Sequence, residues 1–467
     1  MDGNATILKW LGCFLIFGLS TEAAERQVFL NQNDEILHNI LRSKNGSADP
    51  CVDFKHYFIG IYEYDEPIRQ AEERISEENM SLKYHSLFEQ LKNGTYQRGS
   101  VEDMVSKLYN TCQTAKERGN YLQIDDVRYL VELNKLLSTY NQETVIYYLL
   151  DRFEESQVWP NSNNCAELVR TDMFFGSLLL FEEHVLGEKK VKDYQSQVPQ
   201  IFKAIIKSFK RRLERNRLNL PLSQISAFLK FLDGITINVG SMPSDKDHRS
   251  FVMDYYADLD LDDDDNLDTM RLKLSMLRTR RMLEKLDQPV SSSPFTLDIS
   301  NDVDFNTINI PYTFLAEPLF MTRGHEVFKF NGIGNFLARQ ILAAFHNLDA
   351  DYDCKDLTNF VKSLDDIDIF THKTLLCVDE ATQTIEDLNR LDLVILDLIH
   401  DAYFSKESGF DLSQPFYTDV PLKELFFLQY GQRFLHVFIM SDYNSGFNKI
   451  LPTMPAFAET FNCSSSS

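Results

Sequence analysis

Apolar residues recur at helical spacing through most of this chain. Val101, Met104, Val105, Leu108 and Cys112 form one stripe, preceded by Ser100 and Asp103 in a capping-box pattern. Between Val198 and Leu218, the apolar positions Ile201, Ile205, Phe209 and Leu213 step by four. The same reading predicts helices over Ile333–Phe345, with Leu337, Ile341 and Phe345 on one face, and over Leu388–Phe404 and Leu422–Val437. A different period appears at Asn306–Pro311, where polar and apolar residues alternate through Ile308 and Ile310. This predicts a half-buried strand, and Pro311 suggests a sheet edge. Pro and Ser over Gln288–Pro294 break any helix and read as a linker. The pattern therefore predicts a mainly α (α+β) protein, with a largely helical lobe over 24–290 and a second lobe with a small sheet over 291–467.

Composition narrows the setting. At 467 residues the chain can bury a large core, and 43% hydrophobic with 25% charged residues is ordinary for a globular protein. A net charge of -23 repels phosphate backbones and disfavours a nucleic-acid partner. Against this background the cations at Lys207, Lys210, Arg211, Arg212, Arg215 and Arg217 read as a solvated helix face. The seven Asp of Asp258–Asp268 read as an exposed acidic loop, since the Gly and closing Glu of an EF-hand are missing.

The first residues have the form of a signal peptide over 1–23. Trp10–Leu19 is mostly apolar, and Thr21, Glu22 and Ala23 supply a small-x-small site. The apolar stretch is too short to span a bilayer, so the mature chain is expected to be secreted without a membrane span. Removing Cys13 with the leader leaves Cys51, Cys112, Cys165, Cys354, Cys377 and Cys463, an even set that suits disulfides outside the cell. Spacing alone does not choose among their pairings. Asn45, Asn79, Asn93 and Asn462 stand in glycosylation sequons.

Catalytic chemistry is hard to find. A His-Glu-x-x-His zinc motif needs two His one helical turn apart, and no two of the ten His are separated by four. His325-Glu326 imitates the motif but places Lys329 where the second ligand belongs, and reads as a surface pair. Nucleophile elbows, Cys-x-x-Cys spacings and phosphate-cradling glycine motifs are absent.

Ordered landmarks nevertheless point to a family. Asp49-Pro50-Cys51-Val52-Asp53-Phe54 with Tyr57 and Gly60, then Leu108-Tyr109-Asn110-Thr111-Cys112, resemble the start of the neprilysin and endothelin-converting-enzyme ectodomain. Ile308–Phe320 followed by Asn331-Gly332-Ile333-Gly334 resembles its edge strand and the approach to its zinc helix. Leu425-Phe426-Phe427-Leu428 with Gln432, then Met454–Cys463, resemble its closing segment. The resemblance covers nearly the whole mature chain, with a shortened helical part and without the family's last cysteine-bearing tail. It implies a two-lobed neprilysin-like ectodomain, a helical lobe joined to a thermolysin-like lobe.

The functional residues of the family do not carry over. The resemblance places Arg339 and Ala343 at the two zinc-binding His and Gln340 at the general-base Glu. It places Ile385 and Asn389 at the third ligand and its companion Asp, with Glu386 as an alternative. Gly446 falls at the carboxylate-binding Arg, and Asp298-Ile299 at the substrate-gripping strand. No His follows Val437 to serve the transition state. Zinc, the family's cofactor, is therefore not expected to bind. The resemblance also implies disulfides Cys51–Cys463 and Cys112–Cys165, leaves Cys377 to pair with Cys354, and finds Ile59 and Leu435 where the family has a third bridge.

These readings favour a secreted, catalytically inactive pseudopeptidase that binds extracellular peptides or proteins, an active relative among them. The alternative is an active zinc metalloendopeptidase using substituted ligands such as His325, Glu326 or His346. A surface or matrix component with an empty cavity is a third option.

Overall fold

A computed structural model of the protein describes residues 33–42, 44–59, 68–117, 138, 164–284, 300–302, 306–346, 385–435 and 447–463. Helices dominate, and the chain forms two compact units. The first gathers Met1–Arg74, Gln197–Ile235 and Ala316–Ser467, and the second gathers Ile75–Ser196 and Thr236–Leu315. The units thus interleave along the sequence, and their limits do not coincide with a cut at 290. The linker read at Gln288–Pro294 lies outside the described residues.

In the first unit, the helices Asn335–His346, Ile385–Phe404 and Leu422–Tyr430 pack around a core that includes Phe330, Leu337, Ile341 and Phe427, each fully buried. The long helix Gly187–Arg215 adds Ile201, Ile205, Phe209 and Leu213, all with 2% exposure or less, as their four-residue step predicts. Its cations are not simply solvated. Arg211 pairs with Asp401 at 2.6 Å and Arg212 with Asp397 at 2.6 Å, and the Arg212 side chain is only 4% exposed. The correction has a physical cause and is partial: Arg211 and Arg212 face the acids of Ile385–Phe404, since a charge is buried only when paired, while Lys207 and Arg215 stay exposed.

Cys51 and Cys463 are bonded within the same unit, beside a cluster in which Phe54 meets Phe457 and Phe461 with ring centroids 5.0 and 5.7 Å apart. The pairing implied by the resemblance is therefore present. So is Cys112–Cys165 in the second unit. Cys354 and Cys377 lie outside the described residues, as do the side chains of Ile59 and Leu435.

The second unit is built on the helices Ile68–Leu91, from Ile75 onward, and Val101–Glu117. The predicted cap is formed: the Asp103 backbone N–H donates to Ser100 Oγ at 3.2 Å, and Asp103 Oδ2 accepts from the Gly99 N–H at 2.9 Å. Behind it Val101, Met104, Val105, Leu108 and Cys112 are all buried. The acidic loop is largely exposed, and its charges are partly answered by Lys107 at Asp263, Lys273 at Asp265 and Arg281 at Asp258.

A three-stranded sheet completes this unit, in the order β1 (Thr236–Val239), β3 (Thr307–Ile310), β2 (Ser300–Asp302). β1 runs parallel and β2 antiparallel to β3. The strand expected at an edge is thus the central one, and all four of its residues are buried. Pro311 misled because it follows the last paired residue. Ile310 still accepts the Gly240 N–H at 2.7 Å, so the proline removes no ladder bond. The polar positions of β3 pair with β1: Asn238 donates to Asn309 Oδ1 at 3.0 Å, and the hydroxyls of Thr236 and Thr307 lie 2.7 Å apart, while the buried Asn309 Nδ2 finds no partner among the described residues.

Candidate functional site

The stretch from Phe330 to His346 carries the residues on which the functional question turns. A π-helical turn, Phe330–Gly334, leads into the helix Asn335–His346. Asn331 is fully buried and donates from Nδ2 to the Phe426 carbonyl at 2.6 Å, fixing the turn to the helix Leu422–Tyr430. Gly332 has no side chain for a steric reason. A Cβ there would lie 2.5 Å from Nη1 of Arg433, a guanidinium held by Glu72 at 2.6 Å and by the Leu319 carbonyl at 3.2 Å. The Asn331-Gly332 part of the motif is thus accounted for by packing alone.

Beyond the turn, Leu337, Ala338, Ile341 and Leu342 are buried, whereas Phe336, Arg339, Gln340 and Ala343 are half-buried. This second set follows i, i+3, i+4, i+7 spacing and forms a single stripe. Arg339 donates from Nε to Asn335 Oδ1 at 2.8 Å, one turn back on the same helix. Its Nη2 donates to Asp392 Oδ1 on the helix Ile385–Phe404. Asp392 is 5% exposed and Arg339 32%, so the acid is the buried partner. Tyr430 is buried near this pair. Its hydroxyl is held well above the usual range, first by burial and then by the negative charge of Asp392.

Asp392 is the residue that sequence reasoning missed. Its signal is an acid within the run Leu391-Asp392-Leu393-Val394-Ile395-Leu396, where a charge needs a partner. Asp298 and Ile299, which the resemblance sets at the substrate-gripping strand, lie outside the described residues, as does Gly446. Ile385 and Asn389 fall on the Asp392 helix, but their side chains are not described.

His325 is placed differently from the expected surface pair. It is 7% exposed and caps the short helix Glu326–Lys329, its Nδ1 accepting from the Val327 N–H at 3.3 Å. Its own N–H donates to Asn33 Oδ1 at 2.8 Å, and burial lowers the pKa of its ring. A cap needs the imidazole lone pair, and a capping residue is drawn into the fold by that bond.

The second unit holds another buried polar group. Glu182, 6% exposed, opens the π-helical turn Glu182–Leu186, accepts from the Tyr312 hydroxyl at 2.6 Å and lies 2.7 Å from His248 Nδ1. Burial of the His248 ring works against its charge. The hydrogen bond and charge of Glu182, the Pro243 carbonyl and Asp247 together outweigh it, so the pKa is raised. Among the described residues, Glu102, Glu183 and His184 come within reach of a common ion. Both carboxylates are hydrogen-bonded to Arg249, however, which supplies the positive charge.

No family model and no curated protein matches the sequence. Solved structures do share the fold. The Haemonchus galactose containing glycoprotein complex aligns over 93% of this chain and 97% of its own, with a TM-score of 0.53 and 12% identity. The zinc metalloprotease ZMP1 of Mycobacterium tuberculosis, solved with an inhibitor, aligns over 91% of this chain and 96% of its own, with a TM-score of 0.52 and 14% identity. The chain therefore has the mainly helical, two-lobed fold of neprilysin-type metalloproteases, and the likeness is one of fold. Zinc, which the mycobacterial neighbour carries in its name, does not suit the Arg339 stripe. A guanidinium has no lone pair to give, the Gln340 amide has no basic site for a proton, and a methyl has no ligating atom.

Proposed function

We propose that this chain is a catalytically inactive, exported protein of the neprilysin fold that acts by binding extracellular peptides or protein partners, an active relative among them. The observation that carries this reading is the pair Arg339–Asp392. At the position where the resemblance expects the first zinc ligand stands a permanent cation, already hydrogen-bonded to a buried acid. A positive side chain in the metal's place repels the metal as well as failing to bind it. Fold is retained where chemistry is not, and fold alone does not carry activity.

Export is supported by the leader-like start, the even cysteine set and two disulfides. Among the described residues, no helix is long and apolar enough to cross a membrane. Exposed side chains at Asn79, Asn93 and Asn462, with Asn45 half-buried, leave the sequons open to glycosylation. The alternative, hydrolysis through substituted ligands, has less support because His325 uses its ring nitrogen as a helix cap.

The test is metal analysis of the purified secreted protein, paired with a peptide-capture screen and a cleavage assay on the captured peptides. Substoichiometric zinc, capture and no cleavage are expected. Stoichiometric zinc with chelator-sensitive cleavage would overturn the proposal.

A further inference from the structure

The helix Ile68–Leu91 enters the second unit at Ile75, and from there its two faces differ. Ser76, Met80, Tyr84, Leu87 and Phe88 are buried and form the inward stripe. On the outward side Ile75 is 40% exposed and Leu82 67%. A lone apolar residue on a surface is ordinary, but these two stand seven positions apart, two turns along one helix face. Asn79 lies between them, four after Ile75 and three before Leu82, and its side chain is exposed. Residues at those offsets are neighbours, with Cβ atoms about 5–6 Å apart.

Asn79-Met80-Ser81 is a glycosylation sequon, and the helix points its members in different directions. Met80 is buried at 2% exposure and Ser81 is half-buried, so the acceptor asparagine is the member that faces water. A bulky group on Asn79 leaves the core undisturbed. Exposed Arg74, Glu78, Lys83 and His85 border the pair, which confines the apolar area to two side chains. A stable protein interface takes about 800 Å² from each partner, far more than such a pair supplies.

We infer that an N-linked glycan on Asn79 covers Ile75 and Leu82 and takes this apolar pair out of water. The inference rests on the export stated under Proposed function. In the transfer, Asn79 Nδ2 loses one proton and bonds to the anomeric carbon of a lipid-diphosphate-linked oligosaccharide, whose C–O bond breaks. The lipid diphosphate leaves with the bonding electrons, and the proton passes to solvent. The sugar next to the asparagine carries an N-acetyl methyl and a face of C–H bonds, which pack on aliphatic side chains while its hydroxyls stay hydrated. The covalent tether holds that sugar one helical turn from both residues, a proximity that an untethered ligand lacks.

The experiment uses the full chain expressed in a glycosylating eukaryotic host. Glycopeptide mass spectrometry reads the occupancy of each sequon, and hydroxyl-radical footprinting reads the Ile75 and Leu82 side chains. A glycan on Asn79 is expected, with labelling of both residues about threefold lower than in Asn79→Gln, in keeping with the area removed from water. Ser81→Ala, which removes the sequon and keeps the asparagine, is expected to expose both residues equally. Asn93→Gln, beyond the end of the helix, is expected to change neither, and Leu222 at 81% exposure serves as the labelling control throughout. A glycan on another sequon with Asn79 bare would overturn this inference and leave export standing. No glycan on any sequon would overturn both. An occupied Asn79 with labelling indifferent to Asn79→Gln and Ser81→Ala would overturn the covering role and, with it, the inference.

Discussion

Arg339 and Asp392 join two helices through a charge-assisted hydrogen bond in which the acid is buried and the base is half-exposed. This asymmetry decides how the pair responds to mutation. Removing Arg339 strands a carboxylate that water reaches poorly, whereas removing both charges leaves only the neutral Asn335 Oδ1 without its donor.

Arg339→Ala is therefore expected to lower unfolding stability by about 1–3 kcal/mol, below the range for fully buried pairs because Arg339 is partly solvated. The double variant Arg339→Met/Asp392→Leu is expected to recover most of this loss. Urea denaturation of the single and double variants measures the coupling directly.

The second prediction concerns pH and the Glu182–His248 contact. The folded-state pKa of His248 is raised above its ordinary value of 6.5. Its contribution is fully present below that value and is lost as pH rises through the folded pKa. Thermal stability is accordingly expected to fall as pH climbs upward from 6.5, and His248→Gln is expected to flatten this slope. A melting series across that window, on both proteins, checks the sign. A wild-type slope in the opposite direction, rising with pH and removed by His248→Gln, would mean that Glu182 does not stabilise the charged ring.

The bridge Cys51–Cys463 closes almost the whole chain, with a sequence separation of 412. Replacing both cysteines by Ser is expected to cost roughly 2–5 kcal/mol in the chain-entropy picture, and the same change at Cys112–Cys165 is expected to cost less because its loop is shorter. Chemical denaturation of the two variants ranks them. The order sets loop length against burial, since Cys51 and Cys463 are half-buried whereas Cys112 and Cys165 are buried on helices.

Much of the architecture was legible in the pattern of residues. The stripe behind Ser100, the four-residue step of Ile201 to Leu213 and the helix after Gly334 all depend on local periodicity, which an amphipathic helix must display to bury one face. Both described disulfides followed from ordered landmarks. The errors arose where a residue's setting depends on distant chain. Pro311 was read as an edge marker, His325 as a surface residue, and Arg211 and Arg212 as part of a solvated face. In each case the deciding partner, β1, Asn33 or the acids of the Asp392 helix, lies far along the sequence.

The same division holds for the functional region. The sequence by itself determined which chemical groups stand at Arg339, Gln340 and Ala343, the positions that the resemblance sets against a zinc helix: guanidinium, amide and methyl, whose metal-binding capacity depends on their atoms and not on their placement. Only the tertiary structure decided what Arg339 does instead. Its partner is Asp392, 53 residues further along the chain on another helix. Pairing and burial are properties of space, and helices distant in sequence meet only once the chain has folded.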